Sequence, residues 1–233
     1  MINSREIFTY PYDSVTIFRN REELKNEFKN NVKQKIKLAI LSGSTIAELK
    51  DFLEVFLLKN GIECEIIEGS FNNYYEEVLF EDERIFSFQP DWIYIHTTHK
   101  NIVNIPNNDD SLEEINDKYL SEIEKIENII EKCEEKGIKT IINNFDFPVV
   151  RKLGNLDRFH YSGFLNFIDK LNYYLSNYNK PSNLFLNDLN YLSSVIGLDS
   201  WFDINYWYSF RYAISPKALP LLASSIVNII SSS

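Results

Sequence analysis

Residues 37–49 read KLAILSGSTIAEL and combine three kinds of local pattern. The run at 37–41 is almost wholly apolar, which is typical of a parallel strand that helices cover on both faces. Four small residues, SGST, follow at 42–45, and apolar side chains then recur at steps of three and four from Ile46 onward. The pattern therefore predicts a buried strand, a short polar turn and a helix.

The same alternation recurs along the chain and predicts the fold class. Strands that alternate with helices indicate an open parallel sheet with right-handed crossovers. No shift in composition marks a second domain, so we expect a single α/β domain over 1–233, in which 1–35 form an amino-terminal extension with a helix. Apolar runs predict strands at 37–41, 64–67, 91–95, 140–143 and 183–186, and helical periodicity predicts helices at 21–33, 46–60, 72–79, 111–136, 160–178 and 217–230.

Helix boundaries can be predicted at two further places. Ser111 and Glu114 have the spacing of a capping box, in which each side chain binds the other residue's backbone amide. Ser215 as cap and Pro216 at the first helical position predict the start of the last helix. The acidic stretch at 122–135 is expected to form a solvated helix face.

Composition and charge restrict the function classes. The chain has 233 residues with 24 Lys and Arg against 34 Asp and Glu, and its net charge of −10 argues against binding to a phosphate backbone. Cys64 and Cys133 are too few for a disulfide framework and indicate buried thiols in a reducing compartment. We see no signal peptide and no apolar stretch long enough for a membrane span. We therefore expect a soluble, cytoplasmic protein that binds neither nucleic acid nor membrane.

The chemistry is expected where the parallel strands end. In an open α/β sheet, ligands bind beyond the carboxyl ends of the strands. Four polar segments follow predicted strands, at 42–45, 96–101, 143–146 and 187–188. Hydroxyls, amides, imidazoles and carboxylates therefore converge on one edge of the sheet.

Ser44 has two interpretations. Between a strand and a helix, its hydroxyl would lie near backbone amides and the positive end of the helix dipole, which suits a nucleophile with a nearby oxyanion donor. The alternative is that Ser44 or Thr45 caps the helix, and Thr45 with Glu48 even has the spacing of a capping box. Spacing alone favours the cap.

Five sequence blocks carry a family resemblance over about 35–230. The first block resembles SGNH/GDSL hydrolases, and the order of all five is similar to the amino-terminal domain of FkbH-like proteins, HAD superfamily subfamily IIIC. The resemblance implies a flavodoxin-like three-layer α/β/α sandwich with a five-stranded parallel sheet, Ser44 as nucleophile and Asn101 near the oxyanion site. It also implies a role beside a phosphatase-like domain that loads glyceryl-type units onto acyl carrier proteins. The blocks are LAILSGSTIAEL at 38–49, NNYYEE at 72–77, DWIYIHTTHKN at 91–101, IINNFDFP at 141–148 and WFDINYW at 201–207.

The chain departs from this family pattern in three respects. The Gly-Asp-Ser of the first block is here Ser42-Gly43-Ser44. SGNH hydrolases carry an Asp-x-x-His pair before the last helix, whereas here the stretch runs from Asp203 to Tyr206. A tyrosine, with a pKa near 10, cannot replace the imidazole base at neutral pH. The Asp-x-Asp-x-Thr/Val motif of the phosphatase-like HAD half is absent from 1–233. That HAD domain would therefore act as a partner, either in cis, downstream of this domain, or in trans, as a separate protein.

Three histidines are available to replace the missing one. His99 could form a dyad with Ser44. His160 is at the start of a long predicted helix and is expected to lie too far from Ser44. The alternative is that His96 and His99 are hydrogen-bonded edge groups without a catalytic role. A metal site at His96-x-x-His99 lacks a third ligand, so we expect neither a metal nor a cofactor.

Other residues of the blocks are expected to bind the substrate. Asp188 and Asp203 would orient an imidazole or bind a ligand hydroxyl, although a helix cap is the better interpretation of Asp188. The aromatic residues at 201–212 either line an acyl groove or, as large aromatics more often do, pack in the core beneath the last helix. The expected substrate-binding set is Gly43, Asn72, His96, Asn144, Asp203 and Trp207.

Three functions remain open at this stage. The first is an acyl hydrolase or acyl transferase that acts on an ester or thioester. Its substrate would be a small acyl compound or an acyl group bound to an acyl carrier protein in polyketide or related metabolism. In this function Ser44 would be the nucleophile, Asn101 the oxyanion donor and His99 the base. The second is a non-catalytic module that recognises an acyl carrier protein or the partner HAD domain. An acidic carrier would need a basic patch, such as Lys100 or Arg151 and Lys152, on this acidic chain. The third is a structural or dimerising domain.

Overall fold

A five-stranded parallel sheet forms the centre of the computed structural model, which describes residues 7–233. The spatial order is β2-β1-β3-β4-β5, and each strand pairs in parallel with its neighbours. This confirms the predicted α/β class and all five predicted strands to within three residues at each end. The strands are β1 (Gln34–Ser42), β2 (Ile62–Glu68), β3 (Trp92–His96), β4 (Lys139–Asn143) and β5 (Leu184–Asn187).

Helices cover both faces of the sheet and complete a three-layer sandwich. They are α1 (Ser14–Arg19), α2 (Arg21–Phe28), α3 (Ala47–Lys59), α4 (Tyr74–Leu79), α5 (Glu83–Ser87), α6 (Leu112–Glu135), α7 (Phe164–Asn177), α8 (Leu189–Ile196), α9 (Leu198–Trp201), α10 (Ile204–Phe210) and α11 (Leu219–Ser232). Short 3₁₀ turns lie at Lys29–Asn31, His99–Asn101 and Gly154–Arg158. None of the helices within residues 7–233 combines the length and apolar character that crossing a membrane requires.

The central strand shows why the sequence forms this sandwich. Leu38 and Ile40 of β1 pack into one core with α3 and α11, while Ala39 and Leu41 pack into a second core with α6 and α7. All four side chains are fully buried. Because successive strand residues point to opposite faces, a strand buried on both sides must be continuously apolar, as 38–41 is.

The predicted helix ends are partly confirmed. Ser111 and Glu114 form the expected capping box at the start of α6. The start of the last helix was predicted wrongly, because α11 begins at Leu219 and its early proline is Pro220. The hydroxyl of Ser215 instead donates to Ser200 O over 2.5 Å, so this serine fixes a loop.

The amino-terminal extension packs on α3. The predicted helix at 21–33 ends as an α-helix at Phe28, and a 3₁₀ turn follows. Leu24 is buried in the core shared with α3, and Lys25 forms an ion pair with Glu54 over 2.6 Å.

Candidate functional site

The turn between β1 and α3 is held by its own hydroxyl and by the neighbouring strand. Ser42 Oγ donates to Ser44 O over 2.5 Å and accepts from Ser44 N over 3.0 Å. Gly43 N donates to His96 O over 3.1 Å, which ties the turn to the end of β3. These contacts give the backbone around Ser44 a defined position at the carboxyl edge of the sheet.

Ser44 is buried, and its hydroxyl has no hydrogen-bond partner among the residues that the structure describes. The predicted capping role is wrong, since α3 begins at Ala47 without any side-chain cap. Thr45 does not cap the helix either: its Oγ1 donates to Phe210 O over 2.6 Å, and its N–H donates to Arg211 O over 3.0 Å. A buried hydroxyl without a partner is uncommon in folded proteins and calls for an explanation.

Asn101 lies against the same turn. Its Oδ1 accepts from Thr98 N over 3.0 Å, which fixes the orientation of the amide, and its Nδ2 donates to Gly43 O over 3.0 Å. A β-carbon built on Gly43 would lie 1.8 Å from Asn101 Nδ2, so only glycine allows this approach. The second contact of Nδ2, with Asn72 Oδ1, is long at 3.4 Å and is the weaker of the two.

Asn72 is brought to this edge by the loop after β2. It adopts a left-handed conformation, with φ of 54°, and its N–H donates to Ser42 O over 2.9 Å. The fully buried Glu77 supports the same loop, because its Oε1 accepts from Ser70 N over 2.7 Å and from Arg84 Nη2 over 3.0 Å. Gly43, Asn72 and Asn101 are therefore brought together beside Ser44.

A second buried carboxylate supports the loop that follows Asn101. Glu122 Oε1 accepts from Val103 N over 3.1 Å and from Asn104 N over 2.9 Å. The expectation that 122–135 forms a wholly solvated face is thus wrong at Glu122, which is buried.

His99 pairs with Asp146, a residue that the sequence placed at the edge without giving it a role. His99 Nδ1 lies 3.0 Å from Asp146 Oδ1, although the contact lacks the alignment of a strong hydrogen bond. Asp146 Oδ1 also accepts from His99 N over 2.9 Å, and Asp146 Oδ2 accepts from the indole of Trp201 over 3.0 Å. A histidine held through Nδ1 offers Nε2 for proton transfer.

The charge state of Asp146 follows from these contacts. Burial raises the pKa of this carboxyl, but the charge and N–H groups of His99 together with the Trp201 indole outweigh burial and lower the pKa below its ordinary value. Asp146 is therefore an anion at neutral pH and can stabilise a positive charge on His99. In the sequence Asp146 belongs to the polar segment 143–146 at the end of β4, which placed it at this edge but did not show its pairing with His99.

His96 belongs to an internal polar network. Its Nδ1 lies 2.9 Å from Tyr94 Oη, and Tyr94 in turn contacts Asn143. Burial lowers the pKa of His96 to about 4, so the ring is neutral at pH 7. These contacts make His96 a hydrogen-bonded group of the interior, whereas the alternative left open by the sequence was a hydrogen-bonded edge group.

Asn144 and Asp188 fix the start of α8. Asn144 Nδ2 donates to Asp188 Oδ1 over 2.7 Å, and Asn144 Oδ1 accepts from Asn190 N over 2.9 Å. Asp188 caps the helix by accepting from Tyr191 N over 3.1 Å, as predicted. Both polar ends of Asn144 are used in this way, so its contacts are those of a structural residue.

Asp203 and Tyr206 do not replace an Asp-x-x-His pair. Asp203 Oδ1 accepts from Asn205 N over 2.8 Å and from Tyr206 N over 3.3 Å and so caps α10. The ring of Tyr206 packs against Phe210 and Tyr212. The expectation that Asp203 orients an imidazole is not supported by any contact of its side chain in residues 7–233.

The aromatic cluster at 201–212 is mostly not core, contrary to the favoured prediction. Trp201 is fully buried, but no residue of α10 is, and Tyr208 and Phe210 are exposed. Lys100 Nζ lies 4.6 Å from the ring centroid of Phe202 and 5.4 Å from that of Trp207, so Trp207 contacts a cation.

A cavity of about 300 Å³ opens beside the His99–Asp146 pair. His160 does not take part in it; its Nδ1 lies 2.8 Å from Ser162 Oγ. Within residues 7–233, no three His, Cys, Asp or Glu side chains are grouped to hold a metal ion. The cavity is lined by His99, Lys100, Ile105, Pro148, Val149, Val150, Lys152, Asp157, Phe164, Phe202, Ile204 and Tyr208.

The sequence matches the profile of a protein family. The profile described as FkbH, N-terminal domain matches residues 37–231, which is most of the chain.

The chain belongs to the FkbH N-terminal domain family.

Solved structures place this FkbH N-terminal domain among hydrolase folds. The N-terminal part of BF1531 from Bacteroides fragilis, which contains a phosphatase domain and was solved with Mg, superposes with a TM-score of 0.76 at 20% identity over 91% of this chain. The chain spans only 56% of that protein. The acetyl xylan esterase AlAXEase superposes with a TM-score of 0.52 at 15% identity, and 84% of this chain covers 100% of that protein's chain. TesA superposes with a TM-score of 0.51 at 9% identity, and 83% of this chain covers 97% of that protein's chain. No curated protein sequence matches the chain.

These structural likenesses establish the fold of the chain but not its reaction. The same fold is shared with a protein of the G-D-S-L family from Desulfitobacterium hafniense (TM-score 0.50, 12% identity), as the resemblance implied. At identities below 25% the likeness shows the shared fold alone; the groups that could carry chemistry in this chain are Ser44, Asn101, His99 and Asp146.

Proposed function

We propose that this FkbH N-terminal domain is a serine acyl hydrolase or acyl transferase that acts on an ester or thioester at Ser44. The observation that carries the proposal is the unpartnered, buried hydroxyl of Ser44 at the strand edge where Asn101 contacts Gly43. A structural serine would use its hydroxyl in a hydrogen bond, as Ser42 does.

The proposed reaction uses four side chains at this edge. Ser44 Oγ attacks the acyl carbonyl carbon, and its proton passes to Nε2 of His99, whose positive charge Asp146 stabilises. The carbonyl oxygen becomes an oxyanion that takes a hydrogen bond from Asn101 Nδ2, displacing the long 3.4 Å contact with Asn72. The leaving alcohol or thiol receives the proton from His99. Water or an acceptor hydroxyl or thiol then attacks the carbonyl carbon of acyl-Ser44 and gives its proton to His99, which passes it to Ser44 Oγ as the bond between that oxygen and the acyl group breaks.

Bringing His99 to Ser44 requires the acyl substrate or a shift of the 3₁₀ turn. No imidazole contacts Ser44 Oγ within residues 7–233, and catalytic hydrogen bonds are often long in unliganded enzymes. His99 and Asn101 are the first and last residues of one 3₁₀ turn, so the proposed base and oxyanion donor lie in one short element of three residues.

A serine-directed fluorophosphonate tests the proposal. Peptide mapping should find the adduct on Ser44, and Ser44→Ala should abolish labelling and ester or thioester turnover. Ser194→Ala is the matched control, because Ser194 is an exposed serine of α8 and should leave both signals unchanged. An unlabelled Ser44 in a folded protein would refute the proposal.

A non-catalytic binding module is the second candidate. Two observations in residues 7–233 favour it: the Asp203 side chain caps α10, and no imidazole contacts the Ser44 hydroxyl. We propose an acyl carrier protein or the HAD-type domain as its partner, and Lys100 and Lys152 supply the basic groups that an acidic carrier needs. NMR titration with acylated carrier protein should then shift residues at 96–101, with no adduct at Ser44.

A further inference from the structure

The cavity beside His99 combines an apolar body with polar groups. Eight of its lining residues are apolar or aromatic, and the charged ones are Asp157, Lys100 and Lys152, together with the imidazole of His99. Small-molecule sites have this composition, with a few polar groups set in apolar walls, and begin at about 300 Å³. The charged residues therefore indicate which ligand fits.

Asp157 is the buried polar group of the cavity. The residue is almost wholly buried, and its Oδ1 accepts from Phe164 N over 3.2 Å. Its second oxygen, Oδ2, is buried and has no hydrogen-bond partner in residues 7–233. A buried carboxylate oxygen without a partner destabilises the protein. A ligand that donates a hydroxyl or N–H hydrogen bond to this oxygen would remove that cost.

The mouth of the cavity carries two cations. Lys100 and Lys152 are exposed, and neither lies within ion-pair distance of a carboxylate in the described part of the chain. Lys100 Nζ is held over Phe202 and Trp207, which limits its motion. An anionic group on a ligand would find its counter-charge here.

We infer that this cavity binds a small amphipathic anion with an aliphatic chain. The inner end of the chain carries a hydroxyl or amide N–H that donates to Asp157 Oδ2. The outer end carries a carboxylate or phosphate that pairs with Lys100 and Lys152. The volume equals that of roughly ten water molecules in the liquid, which limits the bound part to about ten non-hydrogen atoms. The inference goes beyond the proposed function: His99 belongs to the cavity wall, but binding of this ligand does not depend on acylation of Ser44.

Calorimetric titration with 6-hydroxyhexanoate and hexanoate tests this inference. We expect 6-hydroxyhexanoate to bind about tenfold more tightly, since a hydrogen bond to a charged, buried acceptor has that effect. Asp157→Asn should reduce the preference to below threefold. Lys100→Gln should weaken both ligands alike, whereas Lys180→Gln, an exposed lysine just before β5, should change neither affinity.

Two further variants, Ile204→Trp and Ser44→Ala, separate the possible outcomes of this titration. If Asp157→Asn unfolds, Ile204→Trp replaces it: Ile204 is 56% exposed, so a larger side chain is tolerated there and should block both ligands. Equal affinity of the two ligands, or no binding at millimolar concentration, would overturn the inference. Binding in Ser44→Ala without fluorophosphonate labelling of the wild-type protein would leave the cavity standing and refute only the catalytic proposal.

Discussion

Asn101 Nδ2 donates to Gly43 O over 3.0 Å, at a position where a β-carbon on residue 43 would lie 1.8 Å from the same nitrogen. This approach joins the turn after β1 to the 3₁₀ turn after β3. It exists because residue 43 has no side chain, and it holds the amide of Asn101 beside the turn that carries Ser44.

Gly43→Ala should therefore displace Asn101. We expect the free energy of unfolding to fall by about 1–3 kcal/mol, the usual cost of an overpacked interior site. Equilibrium unfolding in urea measures the change. In the background of Asn101→Ala the same substitution should cost much less, because the clashing amide is gone. Costs that simply add in the double variant would contradict this account of the glycine.

Asp146→Asn removes the anion that faces His99. Since the folded-state pKa of Asp146 is lowered, its stabilisation is present above the unfolded pKa near 4 and decreases as the pH falls through the folded pKa. We expect the variant to be about 2 kcal/mol less stable at pH 7, as befits a lost hydrogen-bonded charge, and the difference from wild type to shrink below pH 4. Urea unfolding between pH 3 and 7 measures both values. A difference that grows in acid would contradict the assignment.

Trp201→Phe tests the other side of this carboxylate. The substitution keeps most of the buried ring but leaves Asp146 Oδ2 without the indole donor. We expect a loss of about 1–3 kcal/mol in stability, the cost of an unsatisfied buried acceptor. Trp207→Phe is the control, since Trp207 makes no hydrogen bond to a carboxylate in residues 7–233 and should cost less. Equal losses for the two tryptophans would show that the indole N–H is unimportant.

His96 should stay neutral throughout the physiological range. Its folded-state pKa of about 4 lies below the ordinary 6.5, so its contribution to stability is present above pH 6.5 and is lost as the pH falls from 6.5 toward 4. NMR of the imidazole nitrogens should show no protonation of His96 at pH 6. A His96→Gln variant identifies the signal. Titration of His96 near pH 6.5 would mean that the ring is solvated and outside the Tyr94 network.

The sequence predicted the fold better than the site, for physical reasons. A strand buried on both faces must be continuously apolar, so 37–41 could be recognised without structural data. The roles of Ser44 and Thr45 depended on where α3 begins, and neither local spacing nor propensity shows that Thr45 would instead bind Phe210 O from a distant helix. The residue that pairs with His99 was equally hidden, since Asp146 lies 47 positions away along the chain.

The reaction of Ser44 with a fluorophosphonate is the most direct test of the proposed chemistry, and its rate should depend on His99. General-base catalysis contributes about 10²–10⁴-fold, so His99→Gln should slow the labelling of Ser44 by at least 100-fold. His160→Gln should leave the rate unchanged, because the His160 imidazole bonds Ser162 and packs against Tyr161, away from the cavity beside His99. Equal labelling rates in the two variants, or an adduct on a residue other than Ser44, would contradict the account.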